Sequence, residues 1–140
     1  MNFITRLTSY LTSVESTPFN WGTHDCFVFT NTAFEVMHGV PYAPEWLGSY
    51  LREDGKTLVP ISQLRMKFKY QNIVEAIDSK LIRKSQPVIG DLVFARHTNN
   101  QSDYVLKGSF GICYGELSAF VGYKGLEYID TDLVSHCWGK

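Results

Sequence analysis

Pro18-Phe19-Asn20-Trp21-Gly22-Thr23-His24-Asp25-Cys26, followed by the apolar run from Phe27 to Met37, is the stretch on which the reading of the chain turns. A turn-forming segment ends in a cysteine, and a helix starts at Asp25 or Cys26. Asp25 suits the N-cap, and Gly39 followed by Pro41 stops the helix after His38. Phe27, Val28, Phe29, Ala33, Phe34, Val36 and Met37 surround this helix with apolar groups, which predicts a buried central helix. A thiol at such an N-terminus meets unpaired backbone N–H groups and the positive end of the helix dipole. Cys26 is therefore a candidate nucleophile, carried on a rigid element where catalytic groups need to be.

Upstream, Phe3, Ile4, Leu7, Tyr10, Leu11 and Val14 recur at helical spacing, predicting an amphipathic helix over residues 2–13 with Asn2 as its cap. Downstream, residues 42–50 read as a loop with one helical turn after Pro44, and Asp54-Gly55 as a turn. Residues 61–68 and 72–81 read as two short helices. At Pro87 the texture changes. Gly90-Asp91 opens a strand over residues 92–95, and a polar loop follows over 96–108. Three more short strands are expected at 110–114, 119–123 and 126–129, punctuated by Gly115, Gly122 and Gly125. Helices first and an antiparallel meander second make a single α+β domain.

Composition narrows the function classes. A chain of 140 residues with 44% apolar and 19% charged residues is globular. Its net charge is -1, from 13 basic and 14 acidic residues, and no long basic run marks a nucleic-acid binder. The cluster Arg65, Lys67 and Lys69 reads as a solvated helix face. Thr5, Arg6, Thr8, Ser9, Thr12 and Ser13 break up the N-terminus, so no secretory signal is expected there, and no stretch approaches the ~18 apolar residues of a membrane span. Synthesis in a cytoplasm follows. Cys26, Cys113 and Cys137 are odd in number and widely spaced, which points to thiols and not to a disulfide framework. His24-x-Cys26 and His136-Cys137 offer four soft ligands, but the paired spacing of a zinc site is missing, so neither metal nor cofactor is expected.

The motifs together resemble the NlpC family of papain-like cysteine peptidases, enzymes that cleave peptide bonds in bacterial peptidoglycan. The family's Pro-Tyr-x-Trp-Gly-Gly and Asp-Cys-Ser-Gly correspond to Pro18-Phe19-Asn20-Trp21-Gly22 and Asp25-Cys26-Phe27-Val28. Its Gly-Asp-Leu-Val is Gly90-Asp91-Leu92-Val93, and its His-Val-Gly-Ile-Tyr falls on Ser109-Phe110-Gly111-Ile112-Cys113. A group of short phage and prophage proteins is more similar still, with Trp-Gly-x-His-Asp-Cys near the start, Gly-Val-Cys-x-Gly later and a near-terminal Trp, here Trp138. These resemble the peptidase-like component encoded among tail-tip genes of long-tailed phages. The resemblance implies an NlpC-type papain-like fold and a place in the virion tail, after synthesis in the host bacterial cytoplasm. Other tail proteins of the hub or distal tail would be its partners, with peptidoglycan as the further one. It also implies that Trp21, Asp91 and Ser109 lie on the substrate side of the site.

The chemistry departs from that pattern. A cysteine peptidase needs a base beside the thiol and a third group that orients the base. Ser109 stands where the family has its histidine, and a hydroxyl does not titrate near neutrality as imidazole does. Residues 117–124 hold no His, Asn, Gln or Asp to act as orienter. Phe19 replaces the tyrosine whose hydroxyl supports the family's site, and Phe27 replaces a small serine. His24, two residues before Cys26, is the candidate substitute base, although its spacing is not the usual one and a residue that hydrogen-bonds the loop backbone and fixes the turn is the commoner case. His97 reads as an exposed loop residue, His136 as packing the last segment and His38 as a helix C-terminal residue. Cys113 reads as core. Trp21, Trp46 and Trp138 with Tyr42, Tyr50 and Tyr123 would line a groove or fill the core. Two functions follow from the resemblance: a structural tail-tip component that has lost its base, or a working cysteine peptidase or amidase with Cys26 as nucleophile.

Overall fold

The computed structural model describes residues 2–54, 73–96 and 108–140. Asn2 caps helix α1 (Phe3–Val14), its Oδ1 accepting from the Thr5 N–H at 2.8 Å. Leu7 and Leu11, one turn apart, form the buried stripe of this helix. Helix α2 (Cys26–His38) is capped by Asp25 and ends at Gly39, whose φ of 86° is left-handed. Arg6 of α1 locks the two helices together. Its Nε donates to Val36 O at 2.7 Å and its guanidinium to Met37 O at 2.8 Å, using carbonyls that the last turn of α2 leaves unpaired. Phe27, Phe29, Thr30, Asn31, Ala33, Phe34 and Met37 are all buried, so α2 is the central helix its apolar girdle predicts.

Among the described residues the C-terminal half forms one six-stranded antiparallel sheet. Its strands are β1 (Ile82–Lys84), β2 (Leu92–Ala95), β3 (Ser109–Cys113), β4 (Leu117–Gly122), β5 (Gly125–Asp130) and β6 (His136–Gly139), in the spatial order β1-β6-β2-β3-β4-β5. The meander β2 to β5 follows the expected order. The expectation of four strands is corrected by β1 and β6. The terminal strand inserts between β1 and β2, pairing Trp138 with Arg83 on one side and with Leu92 on the other. His136 is thus a strand residue. The helix expected over 72–81 is described as α3 (Ile73–Asp78), with turns after it. The expected helix at 61–68, the cluster Arg65, Lys67 and Lys69, Gly55 and His97 lie outside the described residues.

Side chains alternate across the sheet with period two. Leu92, Phe94, Phe110, Ile112, Ala119, Val121 and Trp138 join the helical core, while Val93, Ala95, Cys113, Phe120 and Cys137 form a second cluster on the other face. Two glycines explain themselves. A Cβ on Gly111 would lie 2.4 Å from Ala119 O and 2.6 Å from the Phe120 ring, so only hydrogen fits there. Gly90 takes φ +97° directly under Met37 Sδ and the Phe3 ring, which lets the chain turn into β2 beneath both helices. Trp138, wholly buried, donates from Nε1 to Asp78 Oδ1 at 2.8 Å and so ties the last strand to α3. Among the described residues no helix is long and apolar enough to cross a membrane.

Candidate functional site

The loop ahead of α2 is pinned at both ends. Phe19 N–H donates to Gly122 O at 2.9 Å, hanging the loop on the end of β4. Asn20 and His24 then form an isolated antiparallel bridge, with His24 N–H donating to Asn20 O at 2.8 Å and Asn20 N–H to His24 O at 3.1 Å. Gly22, at φ 87°, turns the chain inside that bridge. The bridge delivers Asp25 to a buried position where four donors converge on its carboxylate. Oδ1 accepts from Phe27 N–H and Val28 N–H, each at 2.9 Å; Oδ2 accepts from Gly22 N–H at 2.8 Å and from the Tyr50 hydroxyl. The capping expected of Asp25 is present and is shared with the loop it follows.

Cys26 is the first residue of α2, has no exposed surface and is in no disulfide. Its carbonyl accepts from Thr30 Oγ1 at 2.7 Å, and Thr30 Oγ1 is in turn 2.8 Å from the Tyr42 hydroxyl. Burial pushes the Tyr42 phenol well above its usual range, and negative charge at Cys26 and Asp25 pushes the same way. The Tyr50 phenol is raised by burial first, then by the Asp25 carboxylate that it bonds and by Cys26. Both hydroxyls therefore stay protonated near neutrality and act as donors at the head of α2. Sequence reasoning placed Tyr42 and Tyr50 in a groove or core. Only the fold shows that their hydroxyls reach the residues around Cys26, and no spacing rule signals it. Where the resemblance expects a tyrosine hydroxyl at position 19 this chain has Phe19, and the hydroxyl that reaches Asp25 comes from Tyr50.

His24 is 8% exposed, packs edge-on against Phe29 with ring centroids 6.0 Å apart, and its buried Nε2 has no hydrogen-bond partner. Nε2 makes no hydrogen bond to the Cys26 sulfur. Burial lowers the imidazole pKa, and the neighbouring Asp25 charge opposes that in part. His24 is thus a neutral imidazole with one uncommitted ring nitrogen. His38 sits between the rings of Phe3 and Phe34 at the other end of α2. His136 stacks on Trp138 in β6, and its Nδ1 is 2.9 Å from Ser135 Oγ.

The other sequence-predicted positions divide. Ser109, fully buried, opens β3 opposite Ala95, and β3 packs beside the first turn of α2 through the Phe27–Phe110 ring contact at 5.4 Å. Trp21 is half-buried over the loop, edge-on to Phe19 at 4.9 Å and to Tyr50 at 6.0 Å. Asp91 is committed to the turn before β2: its Oδ2 accepts from Lys84 Nζ at 2.6 Å and from Val88 N–H at 2.8 Å. Trp46 and Trp138 are buried, so they belong to the core and not to an open groove. Cys113 and Cys137 lie in the second cluster, on the sheet face away from the helices. Among the described residues no three His, Cys, Asp or Glu side chains come together as a metal site.

Comparison with known proteins agrees with this architecture. Residues 1–139 match the family described as a domain of unknown function, DUF6950. No curated protein matches the chain. Among solved structures, the crystal structure of the NlpC/p60 domain of the peptidoglycan hydrolase SagA is similar, with a TM-score of 0.53 and 14% sequence identity over 98% of each chain. At that identity the likeness is one of fold: an α+β, papain-like arrangement of the NlpC/p60 kind.

Proposed function

The chain belongs to the DUF6950 family, and from that premise we propose that it is a phage tail-tip component built on a cell-wall cysteine-peptidase fold and working as a structural or assembly part. The observation that carries this reading is the setting of Cys26. The sulfur-bearing residue keeps the helix N-terminus of a nucleophile, yet it has no exposed surface, and Nε2 of the nearest imidazole in sequence, His24, has no hydrogen-bond partner. Ser109 occupies the position at the start of β3 where the family pattern has its base. The fold likeness to a peptidoglycan hydrolase domain supports the cell-wall ancestry. The motif pattern from Pro18 to Trp138 supports the tail assignment, with hub or distal tail proteins as partners.

One observation favours a second reading, an active peptidase or amidase that cleaves cell-wall peptides during entry. His24 is a neutral imidazole with an uncommitted Nε2 two residues before Cys26, the kind of group that can serve as a base. Phage carrying Cys26→Ala separates the two. The structural reading expects assembled tails and undiminished infectivity. Assembled tails that fail to infect would overturn it.

A further inference from the structure

Residues 42–50, with a single 3-10 turn at Pro44–Trp46, cross the flank of α2 and are fastened to it at each end. At one end the Tyr42 hydroxyl meets Thr30 Oγ1, and Ala43 N–H donates to Asn31 Oδ1 at 2.8 Å. Asn31 is itself fixed by a 2.9 Å bond from its Nδ2 to Phe27 O. At the other end the Tyr50 hydroxyl bonds Asp25, and the Tyr50 ring lies between Phe27, at 5.2 Å, and Trp21, at 6.0 Å. The middle is held from outside, where Lys80 pairs with Glu45 and sits 5.7 Å over the Trp46 ring. Tyr50 thus fills the space between the residue after Cys26 and the tryptophan of the loop before it, against the head of α2.

Given the reading that the Cys26 site is inherited from a peptidase, we infer that residues 42–50 are a built-in strap that closes this site, with Tyr50 as its plug, and that the strap opens locally while the sheet stays folded. Two features support local opening. Tyr42, Ala43, Trp46 and Tyr50 are buried, but Pro44, Glu45, Leu47 and Gly48 between them are exposed, and the segment's regular structure is one 3-10 turn, so few contacts must break for it to lift. Cys113 and Cys137 lie in the second cluster, on the sheet face away from the helices and from the strap, so lifting the strap leaves them covered.

Those two cysteines make the test internally controlled. The full-length protein is treated with iodoacetamide under native conditions, and the labelling rates of Cys26, Cys113 and Cys137 are followed separately by peptide mass mapping. All three are buried, so global unfolding exposes them at one common rate. Lys80→Met removes the outer fastening at Glu45 and Trp46 without touching α2, and Tyr50→Phe removes the plug's hydroxyl while keeping its ring. Each is expected to raise the Cys26 rate by roughly three- to tenfold, the factor for losing one such interaction, with Cys113 and Cys137 unchanged. Cys26 labelling in step with the other two in both variants would overturn the strap. So would wild-type Cys26 labelling as fast as in urea. Peptide cleavage by the wild-type protein would sink the structural reading, whereas the strap stands or falls on labelling order.

Discussion

Asp25→Ala removes the most heavily used acceptor at the head of α2, and its cost can be worked bond by bond. Losing the cap to Phe27 and Val28 N–H costs about 1 kcal/mol in typical helices. The Gly22 N–H and the Tyr50 hydroxyl then lose their common acceptor, at about 1–2 kcal/mol each for groups held away from water. The sum is about 4 kcal/mol. With a urea m-value of about 2 kcal/mol/M for a domain of this size, the unfolding midpoint should fall by about 2 M. Asp25→Asn keeps an acceptor for the two helix N–H groups but presents an amide donor to the other two, so it should fall between, near 2 kcal/mol. Urea titration followed by tryptophan fluorescence and by far-UV circular dichroism measures both. An Asp25→Ala midpoint within about 0.5 M of wild type would show that the four bonds do not carry the head of α2.

Other perturbations probe other parts of the account. Gly111→Ala forces a methyl against Ala119 O and the Phe120 ring; a loss of about 3 kcal/mol is expected, read as a lowered thermal midpoint, and an unchanged midpoint would mean β3 and β4 yield easily. Arg6→Met deletes two hydrogen bonds to α2 carbonyls and should cost about 1–2 kcal/mol in urea; no change would show that the guanidinium is not a cap. For pH, burial lowers the folded-state pKa of His24, and the same cause lowers those of His38 and His136. The unfolded chain therefore takes up protons first. Stability is full above the ordinary imidazole pKa of about 6.5 and declines as pH falls through it. The urea midpoint should drop between about pH 7.5 and pH 5.5, and His24→Gln should make that drop shallower; equal slopes would remove His24 from the balance.

Local chemistry made some of this architecture legible and long-range contact hid the rest. Asn2, Asp25 and Gly39 mark helix ends by what their own side chain or backbone can do within a few residues, and the structure puts α1 and α2 where those marks stand. The meander from β2 to β5 shows in its apolar runs and glycines. β1 and β6 carry no such signal. Ile82-Arg83-Lys84 is short and charged, and His136-Cys137-Trp138-Gly139 is too brief to show a period; β6 is a strand because it pairs with β2 and β1, and β1 because it pairs with β6. The site divides in the same way. Asp25 and Cys26 are readable from one stretch, whereas Tyr50 reaches Asp25 across 25 positions of sequence, a meeting that only the folded chain makes. Asp91 was placed on the substrate side by resemblance, and here its carboxylate is taken up by Lys84 and Val88, contacts that no motif reveals.

The account's central claim is that the fold keeps the nucleophile's seat without a working base. Incubating the purified protein with peptidoglycan fragments, and following released peptides by mass spectrometry beside a Cys26→Ala control, tests it most directly. The account predicts identical product profiles from both proteins. A peptide released by the wild type and absent from the Cys26→Ala reaction would contradict it.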